Sequence, residues 1–183
     1  MPRGSCFLRI YFMSTTTLTD PERRQRLKEL MGDFDTAMLV TRTGGGGLRS
    51  RPLSLVHNED DQERLYFSTA IDSPKARELE ADPRVNVCMQ DKRRFVSVTG
   101  VAHLVRDRAL IDKLWSEAWK IWFPKGKEDP SLCILIVEPG EAAYWDASGL
   151  EGVIYLLEMA KAYVTGTKAE SDDDERHMAR VKL

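Results

Sequence analysis

The segment Ser73-Pro74-Lys75 stands between a β-like run and a short helical run. A serine is a common helix N-cap because its hydroxyl satisfies a free backbone N–H, and proline suits the first helical position. The first turn of such a helix presents N–H groups and the positive end of the helix dipole, to which Lys75 adds an ammonium group. The segment therefore fits either an ordinary helix cap with a solvated lysine or a site that binds a phosphate group.

Other residue patterns that carry chemistry in proteins are incomplete here. Glycines 44–47 lack the lysine and the spacing of a P-loop, so they predict a hairpin loop. His57, His103 and His177 lack the paired spacing of metal ligands. We predict no metal site and can name no catalytic side chain.

The tryptophans have two possible uses. Trp115 and Trp119 are four residues apart and are predicted to pack a helix on the core. Trp122, at the end of that helix, and Trp145, at a strand end, fit either structural packing or the border of a pocket that covers a flat ring.

Composition is that of one globular domain. The chain has 183 residues, of which 42% are hydrophobic and 31% charged, with a net charge of -2 at pH 7. This charge argues against broad attraction to nucleic acid or membranes. Cys6, Cys88 and Cys133 are too scattered for a disulfide framework and indicate reduced thiols, and no apolar run could span a bilayer. We therefore expect a cytoplasmic protein without nucleic-acid or membrane partners.

The order of β-like and helical runs predicts a mainly β fold. The β-like runs are residues 36–42, 50–57, 64–69, 84–90, 95–105, 132–137 and 142–145. The first three fit an antiparallel meander and the next two a hairpin, with Gly100 available for a bulge. Strict strand–helix alternation is absent, so a parallel sheet is not expected. An antiparallel sheet of six or seven strands tends to close or to pack on itself.

Helical runs flank this sheet. They begin at Thr19, at Ser73, at Asp107, where the run extends to Trp122, and at Gly152, where it extends to about Tyr163. We predict a disordered N-terminal extension at 1–18, one domain at 19–167 and an acidic polar tail at 168–183.

The order of short motifs resembles the pyridoxamine-phosphate-oxidase-like flavin-binding split barrels, especially the bacterial general stress protein branch. The matching motifs are Ser50-Arg-Pro-Leu53, Leu65-Tyr-Phe-Ser-Thr69, Asp72-Ser-Pro-Lys-Ala-Arg-Glu-Leu79, Asp82-Pro-Arg-Val85, Val96-Ser-Val-Thr-Gly100, Trp122-Phe-Pro-Lys-Gly126 and Tyr144-Trp-Asp146. Each motif is short, and their colinear order from Thr19 to Thr167 makes the resemblance specific. It implies a six- to seven-stranded antiparallel split β-barrel with flanking helices, usually a homodimer with FMN near the subunit interface.

The resemblance also implies which residues bind the cofactor. They are Arg51, Pro52, Leu53, Phe67, Ser68, Thr69, Ser73, Pro74, Lys75, Trp122 and Trp145. Those of run 50–57 would lie along the flavin, and those of run 64–69 would border its ring and ribityl chain. Ser73 and Lys75 would bind the phosphate, Pro74 would shape the turn, and the two tryptophans would come from the partner chain.

The chain departs from true pyridoxamine phosphate oxidases after Trp145, where Asp146-Ala-Ser-Gly replaces an Arg/His-containing substrate segment. Oxidation of vitamin B6 is therefore not expected, and the stress-protein branch, whose members bind FMN and sometimes FAD, is the better match. Two functions stay open. One is a flavin-dependent oxidoreductase on an unidentified small molecule, with a nicotinamide donor as one option, and the other is flavin binding or storage without dedicated turnover. A third possibility is a related ligand such as a deazaflavin or haem.

Overall fold

The computed structural model describes residues 20–146, 157, 161, 164–166 and 178–183. The predictions for residues 1–18, for most of the last helix and for the acidic run 171–175 lie outside the described residues. The elements are α1 (Asp20–Gly32), β1 (Thr36–Arg42), β2 (Leu48–Ser54), β3 (Leu65–Ala70), α2 (Pro74–Ala81), β4 (Arg84–Gln90), β5 (Arg94–Val105), α3 (Arg108–Leu114), β6 (Leu132–Asp146) and β7 (Met178–Lys182). Two short 3-10 helices, Glu117–Ile121 and Gly126–Glu128, lie between α3 and β6. None of the helices in the described ranges is long and apolar enough to cross a membrane.

The seven strands form one antiparallel sheet with the order β2-β1-β4-β5-β6-β3, and β7 also pairs with β6. A backbone bridge joins the two ends of this sheet, because Val56 N–H, just after β2, donates to Tyr66 O of β3 at 2.8 Å. The sheet is thus closed by a narrow contact rather than by a full ladder. The predicted antiparallel fold with flanking helices is confirmed.

Two apolar clusters lie on opposite faces of the sheet. The interior cluster includes Leu39, Phe67, Val87, Val98 and Leu135, which are all fully buried, and α1 adds Leu27 and Leu30 to it. The outer cluster packs Ile111, Leu114 and Phe123 against Tyr66, Ile134 and Ile136. Because β6 is covered on both faces, its first half is a continuous apolar run rather than an alternating one.

Gly100 lies at an irregularity in the β5–β6 ladder, as the sequence predicts. The register shifts between Thr99 and Gly100, opposite Pro139. A Cβ atom at position 100 would lie 2.2 Å from the backbone oxygen of Glu138, so only glycine fits.

Three predictions about the strands are wrong. The first three strands do not form the predicted meander. β3 forms its ladder with β6, and a single bridge between Val56 and Tyr66 links β3 to the segment just after β2. The runs 132–137 and 142–145 are one strand, β6, because Pro139 lies at the bulge and does not interrupt it. Residues 178–182, inside the predicted polar tail, form β7, which places Val181 in the interior cluster.

The third predicted helix is shorter than the apolar spacing indicated. α3 starts at its predicted cap, Asp107, whose side chain accepts a hydrogen bond from Ala109 N, but it ends at Leu114. Trp115 is extended, with φ -57° and ψ 133°, and Ser116 then caps a 3-10 turn. A serine that bonds its local backbone competes with a continuous helix, so Trp115 and Trp119 lie in different elements. Their rings still meet edge to face, with centroids 5.5 Å apart, and both pack against the outer cluster as predicted.

Candidate functional site

The start of α2 is the predicted serine cap. Ser73 is extended, with φ -68° and ψ 155°, its Oγ accepts a hydrogen bond from Ala76 N at 3.3 Å, and Pro74 is the first helical residue. Ser73 N–H donates to Ala70 O, which fixes the turn against the end of β3. The Ser73 hydroxyl acts here as an acceptor and therefore keeps its own O–H to donate.

Lys75 is a partly buried cation one residue into this helix. Burial lowers the pKa of its ammonium group, and the nearby positive charge of Arg51 lowers it further. Within the described part of the chain, no carboxylate lies within ion-pair distance of Lys75. Two neighbouring cations without full compensation favour the binding of an anion between or beside them.

The Arg51 guanidinium is held by two groups from other elements. Its Nη1 donates to Thr41 Oγ1 of β1 at 2.8 Å, and its Nη2 donates to Glu78 Oε2 of α2 at 2.6 Å. Glu78 Oε2 also accepts from Thr41 Oγ1 at 2.6 Å, and Glu78 Oε1 accepts from Arg49 Nη1 at 2.6 Å. The hydrogen bond from Thr41, together with the two arginines, keeps the pKa of Glu78 below its usual value, so this carboxylate is charged at neutral pH.

Sequence reasoning missed Thr41, Arg49 and Glu78. Arg49 and Arg51 are two residues apart in β2, so alternation places them on one face, and this much was visible in the sequence. Their partner was not visible, because it depends on α2 lying across β1 and β2.

The other two residues of the β2 motif lie on opposite faces of that strand. Leu53 shares the face of Arg51 and packs against the interior cluster, whereas Pro52 is exposed and pairs with Met38 on the outer face. A single flat ring therefore cannot contact all three side chains from one side of the strand.

The predicted cofactor-binding residues of β3 differ in whether a ligand can reach their side chains. Phe67 is fully buried in the interior cluster, and Thr69 Oγ1 is buried with no hydrogen-bond partner among the described residues. Ser68 points to the other face and is partly exposed. In this conformation, Ser68 is the one of these three side chains that a ligand can reach.

Cys133 is the β6 partner of Thr69 and lies close to Lys75. It is completely buried, and its Sγ donates to Thr69 O at 3.3 Å. Burial raises the pKa of this thiol to about 11, so it stays protonated and unreactive at neutral pH.

Of the two predicted tryptophans, Trp122 lies on the surface and Trp145 lies at the far end of β6 from Lys75. Trp122 follows the first 3-10 helix and is 74% exposed. Trp145 lies near the end of β6, between Phe95 of β5 and Met178 of β7. Cys133 of β6 lies beside the end of β3. Trp145 follows it by twelve positions in the same strand, which is about 40 Å along an extended chain. One chain therefore does not bring Trp145 to the start of α2.

The end of β6 that carries Trp145 is anchored to α1. Arg26 Nε donates to Asp146 Oδ2 at 3.0 Å, and a second guanidinium nitrogen contacts the same oxygen. The hydrogen bond from Arg26 to Asp146 raises the pKa of the guanidinium, so this ion pair persists at neutral pH.

An antiparallel sheet closed by one narrow bridge, with a serine-capped helix beside its β3–β6 pair, defines a split-barrel protein. The profile of the family described as "Pyridoxamine 5'-phosphate oxidase like" matches residues 22–170, and the chain belongs to this family. The resemblance inferred from the motifs is therefore confirmed.

Similar proteins carry stress-protein names. General stress protein 26 of Bacillus subtilis (strain 168) is 30% identical over 129 residues, which are 68% of this chain and 89% of that protein. A solved structure named for general stress protein 26, from Jannaschia sp. CCS1, superposes with a TM-score of 0.66 at 24% identity, covering 90% of this chain and all of that one. The structure of the general stress FMN/FAD binding protein of Xanthomonas citri gives a TM-score of 0.59 at 27% identity, covering 70% of this chain and 90% of the other.

Proposed function

We propose that this protein binds FMN and holds its phosphate at the start of α2. The observation that carries the proposal is the partly buried Lys75, which has no ion pair among the described residues and lies near Arg51 beside the Ser73 cap. Family membership and the FMN/FAD binding protein of X. citri support a flavin as the ligand.

The local charge fits a phosphate monoester. Arg49, Arg51 and Lys75 contribute three positive charges and Glu78 one negative charge, which leaves a net charge of about +2. A phosphate monoester carries about -1.5 to -2 at pH 7. Riboflavin has the same ring system without this group, so affinity for FMN over riboflavin reports on this charge balance directly.

Each residue of the helix start has a distinct task in this proposal. Ser73 can donate its free hydroxyl hydrogen to a phosphate oxygen, and Lys75 supplies a compact positive charge. Arg51 uses two N–H groups on Thr41 and Glu78, and the remaining N–H groups of the guanidinium stay available as donors. When bound, FMN would supply the hydride and electron transfer that the side chains themselves cannot.

We further propose that the complete site needs a homodimer. Trp145 lies at the far end of β6 from the start of α2, and Trp122 is largely exposed beside an exposed Ile121. A partner subunit can bring such side chains to the flavin, as the family resemblance implies. FAD would be accommodated if its second phosphate and adenosine extend away from the protein.

We propose a flavin-dependent oxidoreductase that acts on a small molecule with a nicotinamide donor. Storage of flavin without turnover is the alternative, favoured by the missing Arg/His substrate segment after Trp145. Anaerobic addition of NADH or NADPH separates the two, because an oxidoreductase would bleach its bound flavin and regain colour with an acceptor. The scattered cysteines support a cytoplasmic location for either role.

The proposal is tested by titrating the purified protein with FMN and with riboflavin while recording the flavin absorption band. We expect saturable FMN binding with a shifted band and weaker binding of riboflavin. Equal affinity for both ligands would contradict a phosphate site at α2.

A further inference from the structure

Glu78 touches Arg51 from the side of α2, although the family motifs assign it no role. Its carboxylate accepts from three donors: the guanidinium groups of Arg49 and Arg51 and the hydroxyl of Thr41, each at 2.6 Å. The Glu78 side chain is 9% exposed and that of Arg51 18% exposed, so the contact is largely shielded from water.

We propose that Glu78 is a positioning residue of the FMN site, which orients the Arg51 guanidinium toward the phosphate and so raises the preference for FMN over riboflavin. This inference rests on the proposed function. It adds a residue that fixes one of the phosphate-binding groups without touching the ligand itself.

The contacts define a single orientation of Arg51. The carboxylate holds Nη2 and the Thr41 hydroxyl holds Nη1, so the plane of the guanidinium is fixed at two points. Thr41 in turn donates to the same Glu78 oxygen that Arg51 contacts, which closes a triangle of hydrogen bonds. A planar donor held in this way loses less conformational entropy when an anion binds than a free arginine does.

Neutralising Glu78 would change the affinity for FMN in opposite directions, depending on whether Glu78 acts through its charge or through the orientation of Arg51. By charge alone, removal of a carboxylate near a phosphate site strengthens phosphate binding. By orientation, the same change frees Arg51 and weakens phosphate binding. The sign of the effect therefore decides between a positioning residue and a competing counter-charge.

The test compares Glu78→Gln and Thr41→Val with Glu80→Gln. Glu80 is exposed on the same helix, so its variant makes the same change in net charge away from the Arg51 contact. Thr41→Val removes the second contact to Arg51 with no change in charge. Dissociation constants for FMN and riboflavin and the thermal midpoint without flavin are measured for each protein.

We expect Glu78→Gln to weaken FMN binding about tenfold and Thr41→Val a few fold, with riboflavin affinity and the Glu80→Gln variant nearly unchanged. A general loss of structure would weaken both ligands alike, so the FMN-to-riboflavin ratio isolates the positioning effect. If Glu78→Gln does not fold, Thr41→Val carries the test.

Unchanged or tighter FMN binding in the folded variants would overturn this inference while the proposed function stands. A wild-type protein that binds FMN no better than riboflavin would overturn both.

Discussion

The hydroxyl of Tyr66 donates a 2.8 Å hydrogen bond to Asp61 Oδ2, which ties β3 to the loop before it. The hydroxyl of Tyr144 is also buried but has no partner among the described residues. We expect Tyr66→Phe to lower the free energy of unfolding by about 1 kcal/mol, because the partly buried Asp61 carboxylate loses one of its hydrogen-bond donors. Tyr144→Phe is the matched control and should leave stability unchanged or slightly raised, since it removes an unsatisfied group. Urea unfolding of the two variants measures the difference, and equal losses would contradict the assignment.

Asp61 makes stability depend on pH in the acid range. Burial disfavours its charge, but hydrogen bonds from Tyr66 and Arg64 outweigh burial and lower the pKa of the carboxyl from 3.8 to about 2. The folded state therefore binds the proton less readily than the unfolded chain, so this stabilisation is present above pH 4 and is lost as pH falls toward 2. Asp61→Asn should reduce the free energy of unfolding by about 1–2 kcal/mol at pH 7 and have little effect near pH 2. A difference that is the same at both pH values would contradict this account.

Gly100 is predicted to tolerate no side chain. Alanine at this position would place Cβ against the backbone of Glu138, where no flexible side chain can move aside. We expect Gly100→Ala to cost about 2–4 kcal/mol of unfolding free energy. Gly32→Ala, at the end of α1 with no atom within 4 Å of the added Cβ, is the control and should change stability little. Thermal unfolding distinguishes them, and a fully stable Gly100→Ala protein would contradict the observed packing at the bulge.

The proposed shared site predicts complementation between two defective chains. Lys75→Ala and Trp145→Ala should each weaken FMN binding as homodimers. After the two variants are refolded together, half of the dimers are mixed and each mixed dimer has one intact site, so about a quarter of all sites should bind FMN tightly. Titration of the mixture with FMN gives this fraction. No recovery in a mixture shown to contain mixed dimers would mean that both residues act within one chain.

Much of the fold follows from local patterns in the sequence. β1 and β4 have the predicted bounds, because alternating apolar residues mark a strand with one buried face. The Ser73 and Asp107 caps and the Gly100 bulge were predictable because each depends on the chemistry of one residue and its neighbours. These features needed no knowledge of distant contacts.

The wrong or missing predictions concern features that local sequence patterns do not determine. The pairing of β3 with β6 joins residues 62 to 72 positions apart, more than a third of the chain, and nothing local excludes the alternative pairing with β2. Glu78 was missed for the same reason, since its three donors come from two other elements. The end of α3 at Leu114 was missed because the apolar spacing continues past it, while Ser116 starts a separate turn.

The central claim is that Lys75 binds the phosphate of FMN, and the most direct measurement is the ratio of FMN to riboflavin affinity in the wild type and in Lys75→Ala. The account predicts that the wild type prefers FMN and that Lys75→Ala loses about tenfold or more in FMN affinity, while riboflavin affinity stays nearly the same. Lys125→Ala, which removes an exposed lysine of the Trp122–Gly126 segment, is the control for net charge. Equal losses for both flavins in Lys75→Ala, or no loss for either, would contradict the claim.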